Sequence, residues 1–122
     1  MIEVGEYVRT SRGIIGKLIR VEFDEIDKSL KWYVFLGKDE FRIEKEIYIN
    51  KPFIKNHSKN IIDLIEVGDI VEIFDVLNED VIYIWNEEML KALKEDIKNG
   101  IGIRRILTHE QFEANCYKVE EE

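Results

Sequence analysis

The sequence predicts a mainly β protein with short appended helices, an α+β arrangement whose strands form a small barrel or a curled antiparallel sheet. Two segments share one strand-opening pattern, Val4-Gly5-Glu6-Tyr7-Val8 and Val67-Gly68-Asp69-Ile70-Val71. In each, a Gly-acid turn leads into β-branched and aromatic residues that favour a pleated strand. Long helices nowhere alternate with strands, so a parallel nucleotide-binding sheet is not expected.

The elements follow in order. Tyr7-Val8-Arg9-Thr10 is the first strand, Ser11-Arg12-Gly13 a hairpin turn, and residues 14–23 the return strand. Gly16 inside that strand predicts a bulge or bend. After a polar loop over 24–29 come a third strand, residues 31–36, and two shorter ones, Phe41-Arg42-Ile43 and Ile47-Tyr48-Ile49. Pro52, the only proline, marks a connection. Ser58 is placed to cap a short helix through 59–65. The second strand group covers 69–76, turns at Asn78-Glu79-Asp80 and returns over 81–85. Asn86 caps a helix over 87–99 whose Met89, Leu90, Leu93 and Ile97 share one face, with Gly100 as its stop. Residues 101–106 return to strand. Thr108-His109-Glu110-Gln111 matches a capping box, and the short helix it opens carries Phe112 inward.

A chain of 122 residues fits one compact domain over 1–122, with sub-halves at 1–55, barrel-like, and 56–122, a second β unit with helices. Its net charge of −8 is uneven: residues 61–100 hold eleven acids and three bases, whereas residues 1–36 hold six of each. Such asymmetry marks either a charged contact surface or a solvated face that keeps a small protein soluble. The negative balance argues against general nucleic-acid affinity. No apolar run approaches the ~18–20 residues that span a bilayer. The opening Met1-Ile2-Glu3-Val4-Gly5-Glu6 lacks the basic start and apolar stretch of a secretory signal. Cys116 is the only cysteine, which excludes an internal disulfide and a multi-cysteine metal site. A cytoplasmic protein is the simplest expectation.

Catalysis has few parts to work with, and no enzyme, cofactor or metal is expected. His57, His109 and Cys116 are the only imidazoles and thiol. His109 and Cys116 meet only if one helix runs through both, so Cys116 reads as a small buried residue and His109 as the exposed first turn of a helix. Two scattered histidines lack zinc-ligand spacing. Asp24, Glu25 and Asp27 lie in a loop without the glycine that a calcium loop needs.

Binding is better supplied. Arg9, Arg12, Lys17 and Arg20 lie on or around the first hairpin, and Arg104 and Arg105 on the last strand, with Trp32, Tyr33, Tyr83 and Trp85 on strands between. Cations bond phosphate and aromatic rings stack on bases, so these residues suit a nucleotide. Strand alternation puts Trp32 and Tyr33 on opposite faces, which makes at least one of them core. The second surface is acidic: Asp69, Glu72, Asp75, Glu79, Asp80, Glu87 and Glu88 together suit a basic protein partner.

Val4-Gly5-Glu6-Tyr7-Val8-Arg9 and Gly13-Ile14-Ile15-Gly16-Lys17 together resemble the opening hairpin of KOW and SH3-like barrels. That resemblance implies an SH3-like barrel that binds RNA or protein machinery. His57-Ser58-Lys59-Asn60-Ile61-Ile62-Asp63-Leu64-Ile65-Glu66-Val67-Gly68-Asp69 and Leu107-Thr108-His109-Glu110-Gln111-Phe112-Glu113, followed by Tyr117-Lys118-Val119, are similar to small phage and prophage accessory proteins of Firmicutes. This second resemblance implies a counter-defence protein working in the host bacterial cytoplasm. Its partner is then either a host defence protein, met by the acidic face, or a small phosphorylated signal nucleotide, enclosed at an oligomer interface.

Overall fold

The structure, a computed structural model, describes residues 2–38 and 44–115. The expected strand Phe41-Arg42-Ile43, together with Cys116 and Tyr117-Lys118-Val119, lies outside the described residues. The chain divides into two compact units, Met1–Leu64 and Ile65–Glu122. The mainly β expectation holds, with two antiparallel sheets and two short helices.

The first unit is one five-stranded sheet of β1 (Tyr7–Thr10), β2 (Ile15–Phe23), β3 (Lys31–Lys38), β4 (Glu44–Ile49) and β5 (Ile54–Ser58). Its order is β4-β3-β2-β1-β5, antiparallel throughout. Among the described residues the sheet does not close into a barrel. Strand β5 runs across the expected 55/56 division, because its pairing with β1 ties it to the first half. Its sequence, Ile-Lys-Asn-His-Ser, carries little strand preference, so a neighbouring ladder rather than local propensity makes it a strand. Between β4 and β5 a 3₁₀ turn, Lys51–Phe53, holds Pro52 in its first turn, where the fixed φ and missing N–H cost nothing.

Val8, Leu18 and Phe35 are the buried centre of this unit, with Ile2, Ile14, Val21, Tyr33, Ile47, Ile49 and Ile54 packed around them. Val34 and Phe35 point to opposite faces of β3, yet both are fully buried, so the sheet is covered on both sides there. The irregularity expected at Gly16 lies further along β2, where the pairing with β3 shifts register between Leu18 and Arg20. Gly16 serves a different purpose: a Cβ there would run into the Leu36 carbonyl oxygen and the Phe35 ring. Ser58 ends β5 instead of opening a helix. Its Oγ accepts the Asn60 N–H and donates to Asp63 at 2.6 Å, tightening a 3₁₀ turn, Ile61–Leu64.

The second unit contains β6 (Ile70–Phe74), β7 (Glu79–Tyr83), α1 (Glu87–Lys98), β8 (Gly102–Leu107) and α2 (His109–Asn115). Its sheet order is β7-β6-β8. The β6–β7 turn falls at Asp75 to Asn78, earlier than expected, because Asp75 Oδ1 accepts the N–H groups of Leu77 and Asn78. Helix α1 is capped as its sequence predicts: Asn86 Oδ1 accepts the Met89 N–H at 2.8 Å, and Leu90 and Leu93 are buried. At its other end Gly100 (φ 111°) donates to Ile97 and Ile101 donates to Asp96, the paired bonds of a Schellman stop. Helix α2 starts where expected, but Phe112 is half-exposed rather than inward, and Thr108 is the buried residue at this end. Among the described residues, no helix is long and apolar enough to cross a membrane.

Candidate functional site

The basic and aromatic residues singled out in the sequence are divided between the units, Arg9, Arg12, Lys17, Arg20, Trp32 and Tyr33 in the first and Tyr83, Trp85, Arg104 and Arg105 in the second. Arg9 is fully buried and donates through Nη1 to the Leu64 carbonyl at 2.8 Å, so it fastens the end of its unit to β1 and cannot meet a ligand. Arg12 is exposed in the β1–β2 turn. Lys17 stands 6.0 Å from the Tyr7 ring centre. Arg20 spans the face of β3 to reach Glu46 on both carboxylate oxygens, at 2.8 and 2.7 Å, and also bonds Glu22 and Tyr48. Those partners raise its pKa, Glu46 foremost, and Arg20 in turn holds the Glu46 carboxyl below the usual carboxylate range. Trp32 donates to Asp24 at 3.2 Å and packs the 24–29 loop. On the second unit, Arg104 bonds Glu79 and sits 5.1 Å from the Phe74 ring centre, while Arg105 bonds Glu72. Tyr83 and Trp85 are exposed at 56% and 69%. Of the expected ligand residues, Arg9, Arg20, Arg104 and Arg105 are thus occupied by the protein's own acceptors.

The acidic face is also smaller than the charge count implies. Asp69 is fully buried, and Glu72 is drawn into pairs with Arg104 and Arg105, which lie beyond the acidic segment in sequence. Asp75 is taken up by its turn, and Glu79 by Arg104. Asp80 accepts the Val81 N–H, and Glu87 and Glu88 stay exposed at the start of α1.

A different set of residues comes together on the first unit. The ends of β2 and β3, the Lys51 turn and β5 enclose an open groove of about 810 Å³. Lys31, Lys51 and Lys55 supply its cations, Phe23 and Tyr33 its rings, and His57 its imidazole. No carboxylate lines it among the described residues, in a chain whose net charge is −8. Lys31 stands 5.7 Å from the Phe23 ring centre, which orients cation and ring together. His57 Nδ1 lies 3.0 Å from Glu6 Oε2. An ionised carboxylate only accepts, so this contact puts the ring hydrogen on Nδ1. The Glu3 N–H, and after it His57, hold the Glu6 carboxyl below its ordinary range. Of the groove residues the sequence pointed to Tyr33, but not to Lys31, Lys51 or Lys55, and β5, which carries Lys55 and His57, has little strand signal of its own. Lys31 and Lys51 are far apart in sequence, and only the sheet joins them.

The second unit brings together a second constellation that sequence spacing concealed. His109 Nε2 lies 3.1 Å from Glu66 Oε1 and 3.0 Å from Glu110 Oε1. Glu66 and His109 are 43 residues apart, and the fully buried Asp69 joins them. Its two oxygens accept the Glu66 N–H at 2.8 Å and the His109 N–H at 3.0 Å. His109 is therefore half-buried and engaged, not the exposed first-turn residue expected from the sequence.

No family model, curated protein or solved structure matches the chain.

Proposed function

We propose that this is a non-enzymatic binding protein whose first unit holds a small phosphorylated, ring-bearing ligand, a nucleotide, in the groove between β2, β3 and β5. The observation that carries the reading is the gathering of Lys31, Lys51, Lys55 and His57 around a groove that no carboxylate lines among the described residues, in an otherwise acidic protein. Lysine ammonium groups act on phosphate as point charges, and the Phe23 and Tyr33 rings offer faces on which a base stacks. The phage-like segments suggest the setting: sequestering a nucleotide signal of host defence in the bacterial cytoplasm. An open groove leaves part of its ligand in water, and a second copy of the chain is the partner that would enclose it. Blocking a basic defence effector with the acidic segment has less support, since Asp69 is buried and Glu72 and Glu79 are already paired.

A second reading has one observation in its favour. The hairpin whose sequence resembles the opening of KOW and SH3-like barrels is β1 and β2, and it lies within the antiparallel order β4-β3-β2-β1-β5 of the first unit. On that reading the lysines meet RNA or a protein of the host or phage machinery.

Calorimetric titration separates the readings. Adenine dinucleotide, a cyclic dinucleotide and inorganic pyrophosphate are compared with a single-stranded RNA oligomer of the same charge. Sequestration predicts saturable binding of at least one of these small phosphorylated probes, weakened ~10-fold or more, about 1.4 kcal/mol or more, in Lys31→Ala/Lys51→Ala/Lys55→Ala. Equal affinity in that variant rejects the groove. Binding of RNA alone transfers the function to the module reading.

A further inference from the structure

Independently of the groove, we propose that Glu66, His109 and Glu110 form a binding site for a divalent first-row transition cation, with zinc the best-suited ion. Both carboxylates direct Oε1 at the same imidazole nitrogen, at 3.1 and 3.0 Å, and the three atoms all lie within 4.8 Å of one another. A neutral imidazole has at most one hydrogen on Nε2, and here two anionic oxygens converge on it. A cation in the space between the three atoms bonds all of them at once and offsets the repulsion between the carboxylates. The two separations from Nε2 suit it: tetrahedral zinc with bonds of ~2.0–2.1 Å holds its ligand atoms ~3.3 Å apart. One imidazole and two carboxylates make a mixed nitrogen and oxygen set, which favours zinc and its neighbours over magnesium or calcium. When the metal enters, any Nε2 proton leaves to solvent and the nitrogen lone pair becomes the ligand.

The mounting of these residues is an independent argument. Asp69, with no exposed surface, accepts the main-chain N–H of both Glu66 and His109, so one carboxylate sets the spacing of two ligands from distant parts of the chain. Gly68 lies under the imidazole, where a Cβ would come within 3.1 Å of the His109 Cβ. Gly68 also has φ 100°, a conformation side chains resist. The Val-Gly-Asp opening of β6 therefore does more than start a strand. Its glycine makes room for the ring, and its aspartate anchors the backbone on which the ligands stand. The three side chains are 14–31% exposed, which leaves a solvent side for water to complete the coordination.

The test is titration of the full metal-free chain with zinc chloride near neutral pH, followed by calorimetry and by thermal melting. Magnesium and calcium serve as comparators. The expected result is one zinc bound per chain, with affinity ~10-fold or more lower in His109→Gln and in Glu110→Gln. His57→Gln and Cys116→Ser are expected to bind as the parent does. Cobalt substitution adds a direct readout, since visible absorption bands report nitrogen and oxygen coordination in the intact protein and are expected to vanish in Glu110→Gln. If His109→Gln fails to fold by circular dichroism, Glu110→Gln and the cobalt spectrum decide the matter. The proposal is overturned if the parent binds no zinc, if Glu110→Gln binds it equally well, or if Cys116→Ser abolishes binding. Each outcome leaves the nucleotide reading untouched, because the groove lies in the other unit.

Discussion

Replacing Asp69 by Asn separates a buried anchor from a surface acid, the role its place in the acidic segment suggests. The native carboxylate accepts the Glu66 N–H at 2.8 Å and the His109 N–H at 3.0 Å while fully removed from water. Hydrogen bonds to a charged group contribute about 1.5–3 kcal/mol each. Asn keeps one oxygen, so one bond falls from charge-assisted to neutral, a loss of about 1 kcal/mol. Its amide nitrogen then faces the other N–H, and leaving that donor without an acceptor costs about 1–3 kcal/mol. The expected destabilisation of the second unit is the sum, about 2–4 kcal/mol, a large share of the stability of a small domain. Urea unfolding by far-UV circular dichroism measures it, and amide hydrogen exchange at Glu66 and His109 localises it. A surface acid predicts a change within about 0.5 kcal/mol. A shift that small, with both amides as protected as in the parent, would refute the anchoring argument.

Gly16→Ala is expected to disrupt the first unit. The added methyl would lie 2.9 Å from the Leu36 carbonyl carbon, against an optimum of about 3.5–4.0 Å, and nearer still to the Leu36 oxygen. Since main chain cannot step aside as a side-chain tip does, a loss of about 3 kcal/mol or more is expected in a urea melt, and a loss under about 1 kcal/mol contradicts it. Acid stability gives another check. Glu46 is held below its ordinary 4.5, first by Arg20, and Asp24 below its ordinary 3.8, first by the Asp27 N–H and then by Trp32. Both folded values are depressed, so their stabilisation is complete above those ordinary values and is lost as pH falls through the folded ones. The urea midpoint of the parent is expected to decline only in that acid range, and less steeply in Asp24→Asn. A decline that starts near neutrality would point to other groups.

Local chemistry was legible wherever one residue acts on its own neighbours. The first hairpin, the Asn86 cap, the Gly100 stop and the left-handed turns at Gly5 and Gly68 all follow from side chains bonding, or failing to occupy space, within a few residues. Errors arose where a partner lies far away. Strand β5 exists because β1 offers it a ladder, and the 59–65 helix gives way to that pairing and to a 3₁₀ turn. Range also hides the partners of the arginines expected to meet a ligand. A list of charges does not reveal that Arg20 faces Glu46 across β3, or that Arg105 faces Glu72 across the β6–β8 pairing.

The sequence by itself determined that the chain is mainly β, where its glycines turn it, and where α1 begins and ends. These are short-range matters of steric freedom and hydrogen-bond capping. Only the tertiary structure decided which charges are available. It buried Arg9 and Asp69, cancelled Glu72 against two arginines, collected three lysines in a groove without a carboxylate, and set Glu66 and Glu110 on His109. The physical reason is range: a charge is neutralised, or left to act, by groups a few ångströms away in space, and in a β sheet those groups come from distant parts of the chain.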